Sequence, residues 1–230
     1  MKPLLLLGAA VAAYWWWRHR GPGHQTGGAG ASAAAQARQL RTPLVRLATA
    51  LGITTRAETE ARKWQQGAEG ERLVAALLQD LVREGWVVLP DRRIPGRRTN
   101  IDLLAISPRG CVYVLDPKSL SPGLRLTVQD GRLYRGRPGA QQQDITDWLG
   151  GLKRGAQAVE ALLGVRPHAI AVVDGPMRSG ERLRLSGLRL VPAADICAVL
   201  RLIDRQQQPT NSAAWIADKA ARALPPYLGE

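Results

Sequence analysis

The chain has 230 residues, of which 45% are hydrophobic, so it can form one domain with a buried core plus appended segments. Its formal net charge of +13 favours an anionic partner, either nucleic acid or an acidic membrane surface. A basic surface that only aids solubility would carry the same charge. Two isolated cysteines and three scattered histidines argue against a zinc site, and the cysteines have the pattern of buried free thiols.

Residues 1–20 have the pattern of a membrane segment. An uncharged run over residues 4–17 precedes Arg18 and Arg20, and the basic side of such a segment usually faces the cytoplasm. The run is shorter than the roughly 20 residues of a full span, and a cleaved signal peptide of a secreted protein is the alternative. The aromatic cluster at residues 14–17 is typical of a membrane interface. We therefore expect a retained single-pass anchor at the cell membrane, with the remaining chain in the cytoplasm.

The rest of the chain divides into three parts by composition. Residues 21–55 are predicted to be a flexible linker, because residues 21–36 are rich in glycine and alanine without a period. Within it, residues 40–51 allow a short amphipathic helix. Residues 56–205 carry the hydrophobic periodicity of the main domain, and residues 206–230 are predicted to form a C-terminal helical tail.

The main domain mixes helical and strand patterns. Periodicity predicts, in chain order, a helix over residues 58–84, a strand over 86–89, two strands around a turn at 107–110, a strand pair joined at Asp130-Gly131, a helix over 141–163, strands over 168–173 and 188–191, and a helix over 193–203. No internal repeat, P-loop or dinucleotide-binding fingerprint accompanies these elements.

Three charged residues lie in the predicted hairpin around residues 107–110. Asp102 is inside its first strand, whereas Asp116 and Lys118 end the second strand on one face. A loop of odd length would place Asp102 opposite Asp116, and an even loop would place the two carboxylates on opposite faces. Two interpretations are open at this point: a divalent cation between the carboxylates, or an ordinary ion pair between Lys118 and an aspartate.

A fourth charged residue, Glu71, lies at the edge of the apolar face of the helix predicted over residues 58–84. A carboxylate there needs a partner, which a neighbouring arginine would supply in the ordinary case. Gly67 and Gly70 are poor helix residues just before it. They would allow another backbone or a phosphate to approach closely.

A basic segment leads directly into Asp102. Residues 91–100 are predicted to be a loop around Pro95-Gly96, with four arginines: Arg92, Arg93, Arg97 and Arg98. Arginines in such a position commonly bind phosphate groups. A solvated loop is the alternative, and the position beside Asp102 favours phosphate binding.

Three short motifs in this order resemble the nuclease-related (NERD) domain of the PD-(D/E)XK nuclease superfamily. They are residues 67–71 (Gly-Ala-Glu-Gly-Glu), 100–104 (Asn-Ile-Asp-Leu-Leu) and 114–118 (Val-Leu-Asp-Pro-Lys), and the resemblance covers about residues 66–202. It implies an α/β fold with a restriction-endonuclease-like core, in which helices flank a mixed central sheet.

The resemblance also implies roles for individual residues. Glu71, Asp102 and Asp116 would be ligands of Mg²⁺ or Mn²⁺, together with the carbonyl group of Pro117. Lys118 would position or activate the attacking water and offset charge at the phosphate. Aspartate at position 116 departs from the glutamate that is commoner in the family.

Two functions of different classes follow. The first is a membrane-anchored, Mg²⁺-dependent nuclease that hydrolyses phosphodiester bonds in DNA. The alternative is a catalytically inactive module at the membrane that binds nucleic acid or acts as a scaffold. In a third interpretation, the basic surface only contacts anionic lipid near the anchor. No feature of the sequence indicates an oligomeric state.

Overall fold

The computed structural model describes residues 28–97, 99–178, 180–208 and 212–227. The predicted membrane anchor at residues 1–20 lies outside these ranges. Within the described ranges, no helix combines the length and the apolar character needed to cross a bilayer.

Helices and strands follow one another along the described part of the chain. The helices are α1 (Ala31–Leu40), α2 (Pro43–Ala50), α3 (Arg56–Leu77), α4 (Gln79–Arg83), α5 (Gly150–Leu163), α6 (Ile196–Gln206) and α7 (Ala213–Ala223), with 3₁₀ turns at Thr146–Leu149 and Ala193–Asp195. The strands are β1 (Val87–Arg93), β2 (Asn100–Ile106), β3 (Val112–Ser119), β4 (Arg125–Gln129), β5 (Arg132–Gly136), β6 (Gln143–Asp144), β7 (His168–Asp174), β8 (Leu183–Leu185) and β9 (Leu188–Pro192).

A mixed sheet of six strands forms the centre of the fold, in the order β1-β2-β3-β7-β9-β8. Strands β1, β2 and β3 are antiparallel, β7 and β9 run parallel to β3, and β8 pairs antiparallel to β9 at the edge. The connection from β3 to its parallel neighbour β7 contains a second sheet of β4, β5 and β6 together with α5. The prediction of an α/β fold with a mixed central sheet flanked by helices is therefore confirmed.

The core has two layers because successive side chains of a strand point to opposite faces. In β3, Val112 and Val114 pack with α5, α7 and the small sheet, whereas Tyr113 and Leu115 pack with α3, α4 and α6. The two layers hold β3 from both sides, so the residues at its carboxyl end have a fixed position.

The N-terminal part of the predicted linker is not flexible coil. Residues 31–36, expected to lack regular structure, belong to α1, whose Ala33 and Ala37 are buried as the helix packs along α3. The chain comes very close to α3 just before α1 begins, since a Cβ atom on Gly30 would lie 2.6 Å from the carbonyl oxygen of Ala68. The small residues that suggested a linker are therefore what allow this contact. Helix α2 confirms the short helix expected within residues 40–51.

Other boundaries also differ from the predictions. Strand β1 extends to Arg93 instead of ending at residue 89, because antiparallel pairing with β2 continues to Asn100. The helix predicted over 141–163 begins only at Gly150, since β6 pairs with β5 before it. The helix predicted over 58–84 is divided at Leu78 into α3 and α4. The turn at Asp130-Gly131 is confirmed, with φ angles of 50° and 69°.

Candidate metal and nucleic-acid site

The hairpin of β2 and β3 sets the positions of the two aspartates. Their pairing places Leu103 opposite Leu115 and Ile106 opposite Val112, so the loop between them has an odd number of residues. The same register, carried one residue further, places Asp102 opposite Asp116. The Ser107 N–H closes the loop by donating to the Cys111 carbonyl at 2.9 Å.

Helix α3 and the end of β3 enclose a cavity of about 520 Å³ beside this aspartate pair. The residues named by the sequence motifs all line it: Glu71, Asp102, Asp116, Pro117 and Lys118. Gly70 of the helix faces the end of β3, because a Cβ atom there would lie 3.4 Å from the Ser119 hydroxyl oxygen. The structure thus brings together charged side chains that are up to 47 positions apart in the chain.

Lys118 and Asp116 form an ion pair inside this cavity. The Lys118 Nζ lies 2.9 Å from Asp116 Oδ1, and both side chains are largely buried. Burial raises the pKa of Asp116, and the positive charge of Lys118 opposes that rise. Lys118 Nζ also lies 5.7 Å from the ring centroid of Trp148, within the range of a cation–π contact. The ion pair expected as one interpretation of the hairpin therefore exists.

One lysine does not neutralise the whole cluster. The pKa of Asp102 is raised well above its ordinary value, first by burial and then by the negative charges of Asp116 and Glu71. The carboxyl groups consequently repel one another whenever more than one of them is ionised. Without a further positive charge, protonation of Asp102 is the way this repulsion is relieved.

Glu71 is held by a backbone donor from the N-terminal segment. Its side chain is only 7% exposed, and its Oε2 accepts a hydrogen bond of 2.9 Å from the Gly30 N–H. Burial and the nearby charges of Asp91 and Asp116 raise its pKa to about 7, although the Gly30 N–H favours the ionised form. The partner expected for this carboxylate was a neighbouring arginine; the structure provides the peptide group of Gly30.

A second buried carboxylate, Asp91, extends this connection. It has a φ angle of 48° and accepts hydrogen bonds from the Ser32 N–H at 2.8 Å and from Asn100 Nδ2 at 2.7 Å. Asn100 Nδ2 also lies 3.1 Å from the Ser32 hydroxyl oxygen. The start of α1 is thereby bonded to the strand that carries Asp102. Neither Asp91 nor Ser32 was identified from the sequence, because the bond between them uses a backbone N–H group.

The four arginines before Asp102 do not form one exposed loop. Arg92 lies in β1 and is 4% exposed, and its Nε and Nη1 have no hydrogen-bond partner among the described residues. Arg93 is the last residue of β1 and is exposed, as is Arg97 in the turn that follows. Arg98 lies outside the described residues. The loop prediction is therefore wrong for Arg92 and Arg93, because pairing with β2 continues through both.

Sequence reasoning missed part of the cavity wall. Lys63 and Trp64 of α3 also line it beside Gly67, and so does Ala33 of α1. A usable signal was present, since Trp64, Gly67 and Glu71 recur at the three- and four-residue spacing of one helix face. That face lines the cavity instead of packing into the core.

The donor set suits a hard divalent cation. Carboxylate oxygens are the ligands that Mg²⁺ and Mn²⁺ prefer, and the mutual repulsion of the three carboxyl groups would be relieved by one. Across the described residues, however, no three His, Cys, Asp or Glu side chains already stand in a ligand arrangement. The chemistry of the residues thus fits a metal, while Lys118 provides the nearby positive charge.

Comparison with known families agrees with the site. The family model "Nuclease-related domain" matches residues 66–174, from the last turns of α3 to the end of β7. No curated protein and no solved structure shows a significant match to the chain. The matched segment contains Glu71, Asp102, Asp116 and Lys118 but not α1. Residues 66–174 therefore belong to the nuclease-related (NERD) domain family, within the PD-(D/E)XK nuclease-like superfamily.

Proposed function

We propose that this protein is a divalent-metal-dependent nuclease that hydrolyses phosphodiester bonds in DNA. The observation that carries the proposal is the cavity in which Glu71, Asp102, Asp116 and Lys118 meet inside a nuclease-related domain. We also propose that residues 1–20 hold the protein at the cytoplasmic face of the cell membrane, on the evidence of their sequence pattern alone.

Glu71, Asp102 and Asp116, with the carbonyl group of Pro117, would hold Mg²⁺ or Mn²⁺. Such an ion polarises a phosphoryl oxygen and lowers the pKa of its bound water. The pKa values of Glu71 and Asp102 are raised first by burial and then by the negative charges of neighbouring carboxylates, which is consistent with this assignment.

Lys118 presents a positive charge to the substrate phosphate. Asp116 fixes its Nζ through the contact of 2.9 Å, so the ammonium group does not have to be ordered when substrate binds. The Gly30 N–H donates to Oε2 of Glu71, and Glu71 lines the cavity. The exposed side chains of Arg93 and Arg97, and Arg98 after them, are assigned to the phosphates that flank the scissile bond. Arg92 is not included because it is buried.

The catalytically inactive module is the second candidate. It is favoured by the ion pair of Lys118 with Asp116 and by the lack of a preformed ligand triad among the described residues. In that case the domain binds nucleic acid at the membrane and cleaves nothing.

The deciding experiment uses the full chain in detergent. Plasmid and single-stranded DNA are incubated with Mg²⁺, Mn²⁺ or EDTA, and the Asp116→Ala variant is the control for contaminating nucleases. We expect cleavage with metal by the wild-type protein and none by the variant. DNA binding without cleavage under every metal condition would establish the inactive module, and equal cleavage by both proteins would place the activity elsewhere.

The anchor is tested separately by fractionating cells that express the chain with a C-terminal tag. We expect the full-length protein in the membrane fraction. A shortened protein outside the cytoplasm would instead establish the cleaved signal peptide.

A further inference from the structure

One face of α3 forms a groove that continues beyond the carboxylates. Trp64, Gly67 and Glu71 follow one another along this face, with Lys63 beside them. An adjoining cavity of about 240 Å³ is lined by Lys63, Gly67 and Lys118, and Trp148 forms its far side. The groove therefore passes two lysines and lies between two tryptophans.

Trp64 has a side chain that is exposed to solvent at the groove. Its side chain is 46% exposed at the cavity, whereas large aromatic side chains are ordinarily buried for stability. Trp215 on α7 is similarly exposed, at 50%, but Lys219 Nζ covers its ring at 5.1 Å. No such cation lies over Trp64 among the described residues. Its ring face is available to a flat partner that enters the groove.

Gly67 keeps the middle of the groove open. A glycine inside a helix costs roughly 0.5–1 kcal/mol relative to alanine, and packing does not account for it here. A Cβ atom on Gly67 would meet nothing within 4 Å, in contrast to Gly70 one turn later, whose Cβ atom would contact β3. The missing side chain at position 67 serves the space of the groove.

Glu60 places a negative charge at the far end of this face, where it lies 3.9 Å from Arg56. Lys63 and Lys118 line the groove together, so phosphate is favoured between them. An uncharged aromatic group is the partner that fits the Trp64 end.

We propose that the groove binds single-stranded nucleic acid, with an unpaired base stacked on Trp64 and the adjoining phosphate between Lys63 and Lys118. Stacking of bases on aromatic side chains beside a basic track is the general way in which proteins bind single strands. A base inside a duplex is already stacked on both faces, so it cannot stack on a tryptophan without leaving the duplex stack. The assignment of the phosphate to the Lys118 end rests on the proposed nuclease function.

The test measures binding without cleavage. Fluorescein-labelled oligo(dT) and a hairpin duplex of equal length are titrated with the full chain in EDTA, and anisotropy gives the two Kd values. We expect oligo(dT) to bind at least about tenfold more tightly than the duplex. Trp64→Ala should weaken oligo(dT) binding by about 5- to 150-fold, the range for loss of one base stack, and Trp64→Phe should restore most of it.

Three controls make the result specific. Trp215→Ala removes an equally exposed tryptophan away from the groove and should leave both Kd values unchanged. Duplex binding should be the same for Trp64→Ala and wild type. Gly67→Leu should fill the groove and weaken oligo(dT) binding without lowering the Tm, since leucine favours the helix. Equal binding of oligo(dT) and duplex, or equal effects of Trp64→Ala and Trp215→Ala, would overturn the proposal.

The same measurements separate this proposal from the nuclease function. If oligo(dT) binding depends on Trp64 but no DNA is cleaved in Mg²⁺ or Mn²⁺, the groove proposal is supported and the hydrolase proposal is rejected. Metal-dependent cleavage of DNA by the wild-type protein, together with oligo(dT) binding that Trp64→Ala does not weaken, would support the hydrolase and reject the groove proposal.

Discussion

The β2–β3 hairpin and the N-terminal segment of residues 28–40 contribute to the same site in different ways. The hairpin supplies side chains, Asp102, Asp116 and Lys118, whose charges perform the proposed chemistry. The N-terminal segment supplies backbone N–H groups, of which Gly30 holds Glu71 and Ser32 holds Asp91. A functional side chain can be recognised from its residue type in the sequence. A backbone donor cannot, because any non-proline residue can donate a backbone hydrogen bond. A site can therefore include a segment whose composition is that of a linker.

The N-terminal segment also connects the site to the proposed anchor. Residues 28–40 lie within the predicted linker that follows the predicted membrane segment, and they lie outside the family match. The carboxylate of Glu71 is thus bonded to the described part of the chain nearest the predicted anchor. We infer that this segment positions Glu71.

The largest expected effect tests the hairpin. Asp116→Ala should abolish metal-dependent cleavage, because it removes a proposed ligand and releases Lys118. Lys118→Ala should lower the cleavage rate on the order of 10²–10³-fold, as removal of one charge-stabilising donor does. Measured by anisotropy in EDTA, Asp116→Ala should bind DNA about as well as wild type. Lys118→Ala should lose a small part of the affinity, because Lys118 is also proposed to contact a phosphate. A large loss of binding by Asp116→Ala would show that the hairpin acts in binding and not in chemistry.

The next effect tests the N-terminal segment through two truncated chains. Removal of residues 1–27 leaves every described contact in place and should change the free energy of unfolding little. Removal of residues 1–40 exposes the α3 face covered by Ala33 and Ala37 and takes the Gly30 donor from Glu71. We expect a loss of about 2–4 kcal/mol in urea unfolding, together with weaker Mn²⁺ binding by calorimetry. Equal stability and equal Mn²⁺ affinity of the two chains would show that the segment is a linker after all.

Glu71 is the residue on which both regions act, and its titration gives a third test. Its pKa is about 7 in the folded protein, against an ordinary value of 4.5, so the folded state binds more protons between these values. The free energy of unfolding of the metal-free protein should therefore fall as the pH rises from 4.5 through 7, with roughly 3 kcal/mol due to this residue. Below pH 4.5 both states are protonated and the contribution is fully retained.

The matched variants for this test are Glu71→Gln and Glu69→Gln. Glu71→Gln should make the fall in the free energy of unfolding with pH less steep. Glu69→Gln changes an exposed residue of the same helix and should leave that fall unchanged. Added Mn²⁺ should reduce the fall in the wild-type protein, because a bound cation compensates the ionised carboxylates. An unchanged pH dependence in Glu71→Gln would mean that Gly30 and the cavity stabilise the ionised form.

The smallest effect concerns the turn that joins the hairpin to β1. Arg97→Ala should weaken DNA binding modestly and reduce the slope of log Kd against log salt by about 0.9, the loss of one phosphate contact on duplex DNA. Arg205→Ala removes an exposed arginine on α6 as a control. Equal slopes for the two variants would show that Arg97 belongs to the solvated surface.

The sequence by itself determined the features that depend on neighbouring residues. Alternating apolar residues predicted the hairpin, and its short loop restricted Asp102 and Asp116 to either the same or opposite faces. The motif spacing predicted which four charged residues belong together, and all four line one cavity within the matched residues 66–174. These predictions were possible because strand periodicity and turn chemistry act over only a few positions.

Tertiary structure alone decided the features that depend on distant partners. Pairing with β2 drew Arg92 into β1 and buried it, although its local sequence is that of a basic loop. Packing against Ala68 turned a glycine- and alanine-rich stretch into the segment that holds Glu71. The open groove beside Trp64 likewise exists only where α3 meets β3. For Arg92 and the N-terminal segment, the stabilising free energy comes from a surface on another element, so no pattern within the segment could reveal the outcome.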